Sequence, residues 1–289
     1  MKVMGNYDIT DDQVKAFEQD GAVTIDTPLT SQQIAEASQL MDCMLPLGPP
    51  RPGEKNPRYR VGKNNVCEPA FVRIMEQPFF ESVAKRLLYS DEVVMVGSAL
   101  RKTYPDSENV FKDTGEHTDF TFSVADMASV PRRMELTFFI WIADVDEKCA
   151  PLVYRPQSHR QIAEYMGDKP RYVHGPFDKD DYINMPDIHA APVVIGTFLD
   201  QLPDLEYADL IPIVASAGQM TVINLATIHA GSTNVGTSDR RRLSVSFWPK
   251  AAVIGENKGR ARGRELFQSQ LVKNLSADRR HLVPDEVQI

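Results

Sequence analysis

From about residue 92 the chain is built of short runs rich in Val, Ile, Phe and Thr set between turn residues. Nothing else in it limits the fold as strongly. Val93 to Leu100, Leu136 to Ile142, Pro192 to Leu199, Met220 to Leu225 and Leu243 to Trp248 have the length and spacing of strands in an antiparallel sandwich or barrel. The preceding part reads differently. Thr10 to Asp20 opens on cap-type residues and is closed by Gly21, which predicts a short helix. Ala22 to Ile25 predicts a first strand, Thr30 to Met44 a second helix capped by Thr30 or Ser31, and residues 78–88 a third helix. The prolines of Leu45 to Gly53 predict a loop. Helices first and strands later point to an α+β, mainly β, fold. The expected core is a jelly roll, a cupin-like double-stranded β-helix, over about 92–250, with helices of 8–90 packed on one sheet. Residues 251–289 predict a polar helical tail, and 1–289 read as one domain. Residues 160–215 read either as a lid or binding loop or as a decorated loop without a role.

Composition excludes more than it identifies. The chain is 42% hydrophobic and 25% charged, ordinary for a globular protein with a sizeable core. A net charge of -8 and a pI near 5.3 argue against nucleic acid as a partner. The basic run Lys258 to Arg264 reads as a solvated face. No window has the length of a membrane-spanning helix, and Met1 to Asp8 lack the apolar core of a signal peptide. Cys43, Cys67 and Cys149 form no C-x-x-C pair. They read as buried or incidental thiols in a reducing, cytoplasmic setting. Oligomeric state is left open.

The chemistry-bearing residues begin at His117-Thr118-Asp119. On a strand, i and i+2 project to one face. With a distant histidine, that pair can place two imidazoles and one carboxylate on one side of a metal, the arrangement of non-haem iron(II) oxygenases. His229 is the candidate third ligand, read as ending a strand from Met220 to Ile228. Taken alone, a histidine such as His117 is more often a surface or capping residue than a ligand. Downstream, Arg240 and Arg242 share one face of a strand. An inward guanidinium there would need a carboxylate, and a bidentate grip on a dicarboxylate would supply one. The alternative is a basic edge strand facing solvent, a reading that suits Arg241 best.

Several ordered segments resemble the phytanoyl-CoA dioxygenase family of iron(II)/2-oxoglutarate oxygenases. They are Phe17-Glu18-Gln19-Asp20-Gly21-Ala22-Val23, His117-Thr118-Asp119, Trp141 to Asp146 followed by Pro151 to His159, and His229 to Asn234 with Arg240. The likeness runs from about residue 10 to 250. Two positions depart from the pattern. Cys149-Ala150 stands where the family has Asn-Gly, and Gln157 where it has the Gly of Pro-Gly-Ser-His.

The resemblance implies iron(II) on His117, Asp119 and His229, with 2-oxoglutarate and O₂ as co-substrates and succinate and CO₂ as co-products. It implies Arg240 as the grip on 2-oxoglutarate, Arg242 as the fallback and Ser244 as a further hydrogen bond. Thr137 and Lys102 are weaker candidates for the other end of the co-substrate. Tyr104, Phe120 and Phe122 either line a substrate pocket or are plain core aromatics. His159 is assigned packing or hydrogen bonding, and His174, His189 and His281 are ordinary loop or tail histidines. The presence of Asp119 favours hydroxylation of a small organic metabolite over halogenation. Desaturation, cyclisation, epimerisation or rearrangement in natural-product biosynthesis are the alternatives. A silent metal-binding barrel acting as a binding protein, or a zinc or manganese barrel without 2-oxoglutarate, are readings of another class.

Overall fold

The computed structural model describes residues 8–48, 59–106, 115–167, 172–173, 197–251 and 258–287. Residues 168–171 and 174–196 of the 160–215 segment, with His174, His189 and most of Pro192 to Leu199, lie outside the described residues, as does the loop beyond Gly48. The helices are α1 (Asp11–Asp20), α2 (Ser31–Met44), α3 (Pro69–Met75), α4 (Pro78–Leu88), α5 (Val124–Ala128), α6 (Ser158–Met166) and α7 (Lys258–Leu271). Thr10 caps α1 and Thr30 caps α2, each through a reciprocal box with the glutamine three residues on. Gly21 ends α1 at φ +83°, and a Cβ there would stand 2.6 Å from Nδ1 of His159.

The strands are β1 (Ala22–Ile25), β2 (Arg60–Asn64), β3 (Val93–Thr103), β4 (His117–Thr118), β5 (Thr121–Phe122), β6 (Leu136–Trp141), β7 (Leu152–Tyr154), β8 (Tyr172–Val173), β9 (Thr197–Phe198), β10 (Ile211–Pro212), β11 (Met220–Asn224), β12 (His229–Gly231) and β13 (Arg240–Pro249). A six-stranded sheet runs β1-β11-β6-β13-β3-β2 and a five-stranded sheet β10-β7-β12-β4-β9, with β5 and β8 paired apart. Two antiparallel sheets with these crossovers are the jelly roll expected from the strand pattern. Neither α3 nor β2 was foreseen.

Register assigns each residue of the large sheet to a face, since directly opposed residues point the same way. Leu243 lies opposite Leu100 and Ile140, Val245 opposite Ser98 and Phe138. This outer face carries the helices. Phe80 of α4 packs its ring 6.3 Å from Phe138, which sits 5.2 Å from Phe247. Asp42 and Ser38 of α2 meet Arg241, and Gln268 of α7 donates to the Met95 carbonyl. Each fully buried Phe or Leu here contributes about 1.5–3 kcal/mol. The expected polar tail therefore has an apolar side: Phe267 and Leu271 are buried in the core. The other face of the sheet looks into the barrel, toward β4 and β12.

One strand was read too long. The run Met220 to Ile228 is not continuous: β11 stops at Asn224. The Asn224 side chain accepts the Ala226 amide and its carbonyl accepts the Thr227 amide. That side-chain turn carries the chain into the second sheet, where His229 opens β12 rather than ending β11.

Candidate active site

His229 pairs with His117 across β12 and β4, so the two imidazoles face each other with ring centroids 4.5 Å apart. Asp119 lies just past the end of β4. Its amide and that of Phe120 both donate to the Leu225 carbonyl, tying the carboxylate to the link that leads to His229. One ligand atom from each of His117, Asp119 and His229 lies within 4.8 Å of the others. The His117 Nε2 is 3.6 Å from Asp119 Oδ1, and the His229 Nε2 is 3.7 Å from Oδ2.

Backbone carbonyls orient both rings. Nδ1 of His117 is 2.9 Å from the Gly115 carbonyl, and Nδ1 of His229 is 2.9 Å from that of Thr227. A carbonyl only accepts, so each Nδ1 carries the proton and each Nε2 lone pair is left for a metal. Burial pushes the His229 pKa down, which favours the neutral, ligating form; Asp119 pulls it the other way.

Around this trio the chain is locked. Arg155 grips Glu116 through two nitrogens, at 2.5 and 3.0 Å, directly before His117. Ser158 Oγ donates to the Arg155 carbonyl and accepts the Ile228 amide, directly before His229. His159 sits 3.2 Å from the Glu18 carbonyl and packs on Gly21. The sequence assigns His159 this packing or hydrogen-bonding role; it assigns none to Arg155 and Glu116, which stand within or next to the motif segments and whose pairing only the fold reveals.

The inner face of the large sheet is arranged in tiers. Arg240 lies beside Thr103, which lies beside Arg60; Arg242 lies beside Arg101, which lies beside Gly62. Ser244 lies between Phe139 and Ala99, and Ser246 between Thr137 and Gly97. Arg240 is 1% exposed; it donates to the Ala150 carbonyl at 2.6 Å and to Thr103 Oγ1 at 3.1 Å. The Arg242 guanidinium stands 4.0 Å over the Phe139 ring. Nε of Arg240, Nε of Arg242 and Oγ of Ser244 are buried without a hydrogen-bond partner among the described residues. Among the described residues no carboxylate forms an ion pair with Arg60, Arg101, Arg240 or Arg242.

The electrostatic consequence is large. Burial pushes Arg240 down to about 9, with Arg60 and Arg101 adding repulsion. Burial drives Arg242 well below its ordinary value, with Arg240, Arg101 and Arg60 adding to it and Asp119 opposing. Guanidinium keeps its proton in proteins, so the cluster relieves this cost by taking up an anion.

Other expected residues fall elsewhere. Lys102 alternates with Arg101 and Thr103 and so points outward, where it binds Asp42 and Asp239 at 2.5 and 3.2 Å. Its expected role at the co-substrate is corrected. Tyr104 shares that outer side: its hydroxyl donates to the Leu45 carbonyl and its ring lies under the Lys102 ammonium. It lines no inner pocket. Phe120 and Phe122 are 2% and 0% exposed, stack on each other and belong to the apolar core. Thr137 does face inward, hydrogen-bonded to Ser246. His281, on the tail, meets Glu81. A cavity of about 520 Å³ between α1, α5 and α6, lined by Phe17, Met127, Met134 and His159, contains none of the three clustered ligands. No helix among the described residues is long and apolar enough to cross a membrane.

The family described as phytanoyl-CoA dioxygenase matches residues 17–242. The ectoine dioxygenase of Bordetella bronchiseptica is 23% identical over 252 residues, covering 84% of this chain and 73% of that protein. Among solved structures, EctD from S. alaskensis with bound iron superposes with a TM-score of 0.57 at 15% identity, over 89% of this chain and 82% of that one. The 2-oxoglutarate-dependent carbocyclase SnoK of nogalamycin biosynthesis gives 0.58 at 16% identity, over 86% and 88%. HygX from Streptomyces hygroscopicus, solved with nickel, 2-oxoglutarate and hygromycin B, gives 0.53 at 11%, over 84% and 88%.

Proposed function

This chain belongs to the phytanoyl-CoA dioxygenase family, and we propose that it is an iron(II)/2-oxoglutarate-dependent dioxygenase that hydroxylates a small organic metabolite. The observation that carries this reading is the convergence of His117, Asp119 and His229 opposite an inner sheet face whose arginines have no ion pair among the described residues. Two imidazoles and one carboxylate suit iron(II) and leave positions open. The orphaned buried nitrogens of Arg240 and Arg242 and the orphaned hydroxyl of Ser244 suit a carboxylate. When bound, iron and 2-oxoglutarate supply the oxidising chemistry, consuming O₂ and releasing succinate and CO₂.

The residues of the chain do the rest. His117, Asp119 and His229 hold the metal, their rings set by the Gly115 and Thr227 carbonyls. Arg240 holds the far carboxylate of 2-oxoglutarate. It is the guanidinium already fixed in place, by Ala150 and Thr103, so little side-chain entropy is lost on binding. Arg242 exchanges charge effects with both Asp119 and His229. It therefore flanks the stretch between metal and Arg240, with Ser244 one step further along β13. With all three protein ligands in place, no position is vacated for a halide. The neighbouring carbocyclase SnoK supports a second reading, in which the same cofactors drive ring formation or a related rearrangement.

Anaerobic addition of iron(II) and then 2-oxoglutarate to metal-free protein tests the assignment. The wild type is expected to show a visible charge-transfer band. Asp119→Ala loses it, and Arg240→Ala needs roughly 30- to 150-fold more 2-oxoglutarate, the ratio for about 2–3 kcal/mol of lost buried ion pairing. Well-folded wild type that forms no band and binds no 2-oxoglutarate by calorimetry would reject the reading.

A further inference from the structure

The inner face carries more positive charge than 2-oxoglutarate can use. One far carboxylate answers one guanidinium, or at most a pair, and its other end belongs to the metal. The face holds four arginines: Arg240 and Arg242 on β13, Arg101 on β3 and Arg60 on β2. Asp119 is the carboxylate that Arg101 and Arg242 feel, and it is committed to the metal site.

Arg101 and Arg60 occupy a place of their own. Arg101 crosses from β3 over β2, with its guanidinium donating to the carbonyls of Leu100 and Lys63 and to Asn64 Oδ1, at 2.8, 3.4 and 2.7 Å. Gly62 makes that path: a Cβ there would lie 2.7 Å from Cδ of Arg101 and 2.8 Å from one terminal nitrogen. The groups that accept from the guanidinium are neutral, and it forms no ion pair among the described residues; the carboxylate whose charge reaches it is Asp119 of the metal site. Arg60 stands on the next tier of the same strand, half-buried, with no hydrogen bond among the described residues, and Arg101 is the charge it feels. Two cations at one edge of the barrel face, both partly open and neither ion-paired among the described residues, form an anion-binding edge beside the metal site.

We propose that the substrate is itself a small anion, and that Arg101 and Arg60 bind its carboxylate or phosphate group at the β2–β3 edge while its reacting carbon faces the metal. This rests on the dioxygenase reading. It narrows the substrate class to acids or phosphate esters, and it makes Arg101 the specificity-determining residue. A neutral substrate would leave these guanidiniums buried under the bound molecule without a partner, which is costly.

The test uses full-length protein loaded anaerobically with iron(II) and 2-oxoglutarate, with the charge-transfer band monitored throughout. Sulfate, standing for a phosphate group, and propionate, standing for a carboxylate, are titrated separately against chloride at matched ionic strength, and thermal unfolding is followed. The wild type is expected to show a saturable rise in midpoint of a few degrees, on the order expected from ligand linkage, with the band retained. Whichever anion saturates at lower concentration identifies the group. Arg101→Gln is expected to weaken the effect at least tenfold while its 2-oxoglutarate affinity stays within about twofold of wild type; Arg101→Lys restores part of it. Gly62→Val, which pushes the guanidinium aside, gives the same loss with the charge still present. A rise no larger than with chloride, or one that survives in Arg101→Gln, overturns the proposal. Loss of the band in Arg101→Gln also overturns it, by placing Arg101 on the co-substrate. An absent band in the wild type instead overturns the dioxygenase reading beneath it.

Discussion

Strand β13 presents two chemistries in alternate residues. Outward it offers Arg241, Leu243, Val245 and Phe247; inward it offers Arg240, Arg242, Ser244 and Ser246. The outward arginine is fully answered, by Asp42, Asp239 and Ser38. The inward arginines have no carboxylate among the described residues, and three buried polar atoms there lack partners. Polar groups left so in a native interior are costly, so they are kept for something the protein binds. The outer face holds the fold together; the inner face holds stored electrostatic cost, and the two are one residue apart. Substitutions on one face should change stability and spare ligand affinity, and substitutions on the other should do the reverse.

The largest effect belongs to the outer face. Phe247→Ala removes a fully buried ring packed on Phe138 and should cost about 3–5 kcal/mol of stability. Denaturant titration of the metal-free protein measures this. The surviving folded fraction should bind 2-oxoglutarate as the wild type does. A parallel loss of affinity would break the separation of the two faces. On the inner face, Arg240→Ala should leave stability unchanged or higher, because it removes a buried charge that Arg60 and Arg101 repel, while 2-oxoglutarate affinity falls as stated above.

That contrast holds only at a pH where the scaffold is intact, and His159 sets the limit. Its ring is 1% exposed, and burial lowers its pKa to about 4, partly offset by the Glu18 carbonyl. Above the unfolded value of about 6.5 the imidazole is neutral in both states and contributes no penalty. As pH falls below that, the unfolded chain takes up a proton that the native chain refuses, and stability drops until about pH 4. The loss should reach about 3 kcal/mol, the free energy of a shift of roughly 2.5 units. Unfolding of metal-free wild type and His159→Gln between pH 4 and 7 measures it; the variant should have a flatter profile. Identical slopes would show that other groups govern the acid transition.

How much of this was legible beforehand follows from what each signal depends on. Strands of β3, β6 and β13 declare themselves by composition, and His117-Thr118-Asp119 by spacing, because both are local. The facing of a side chain is not local. Lys102 looks as suitable as Arg101 until the register with Arg241 and Arg242 assigns them to opposite faces. β2, read as Arg-Val-Gly-Lys-Asn, has a glycine and two cations in five residues, so neither alternation nor propensity marks it as a strand. Arg60 was missed with it. The break at Asn224 was hidden because Leu225 to Ile228 continue an apolar run; only the Asn224 side-chain bonds reveal the turn. The Arg240 environment was likewise out of reach, since its partner carbonyl belongs to Ala150, 90 residues away in sequence.

That carbonyl leads to the smallest effect and the finest test of the two-face contrast. The two positions where the chain departs from its family's glycines both adopt left-handed backbone: Ala150 has φ +47° and Gln157 has φ +66°. A non-glycine residue there costs about 1–2 kcal/mol, offset in part by the greater unfolded-state freedom of glycine. Ala150→Gly and Gln157→Gly should therefore each raise stability by up to about 1 kcal/mol, read as a shift of denaturation midpoint at constant slope. Their effects on binding should differ. Gln157 directly precedes Ser158, whose hydroxyl meets the Arg155 carbonyl and the Ile228 amide rather than Arg240, and its replacement should leave 2-oxoglutarate affinity alone. Ala150 holds Arg240 by its backbone oxygen, so a more mobile glycine should loosen the grip and weaken 2-oxoglutarate by about two- to threefold while the fold itself becomes more stable. A stabilised Ala150→Gly with unchanged affinity would show that Thr103 alone is enough to orient Arg240. A stabilised variant with weaker binding would show that the left-handed alanine trades stability for a fixed arginine.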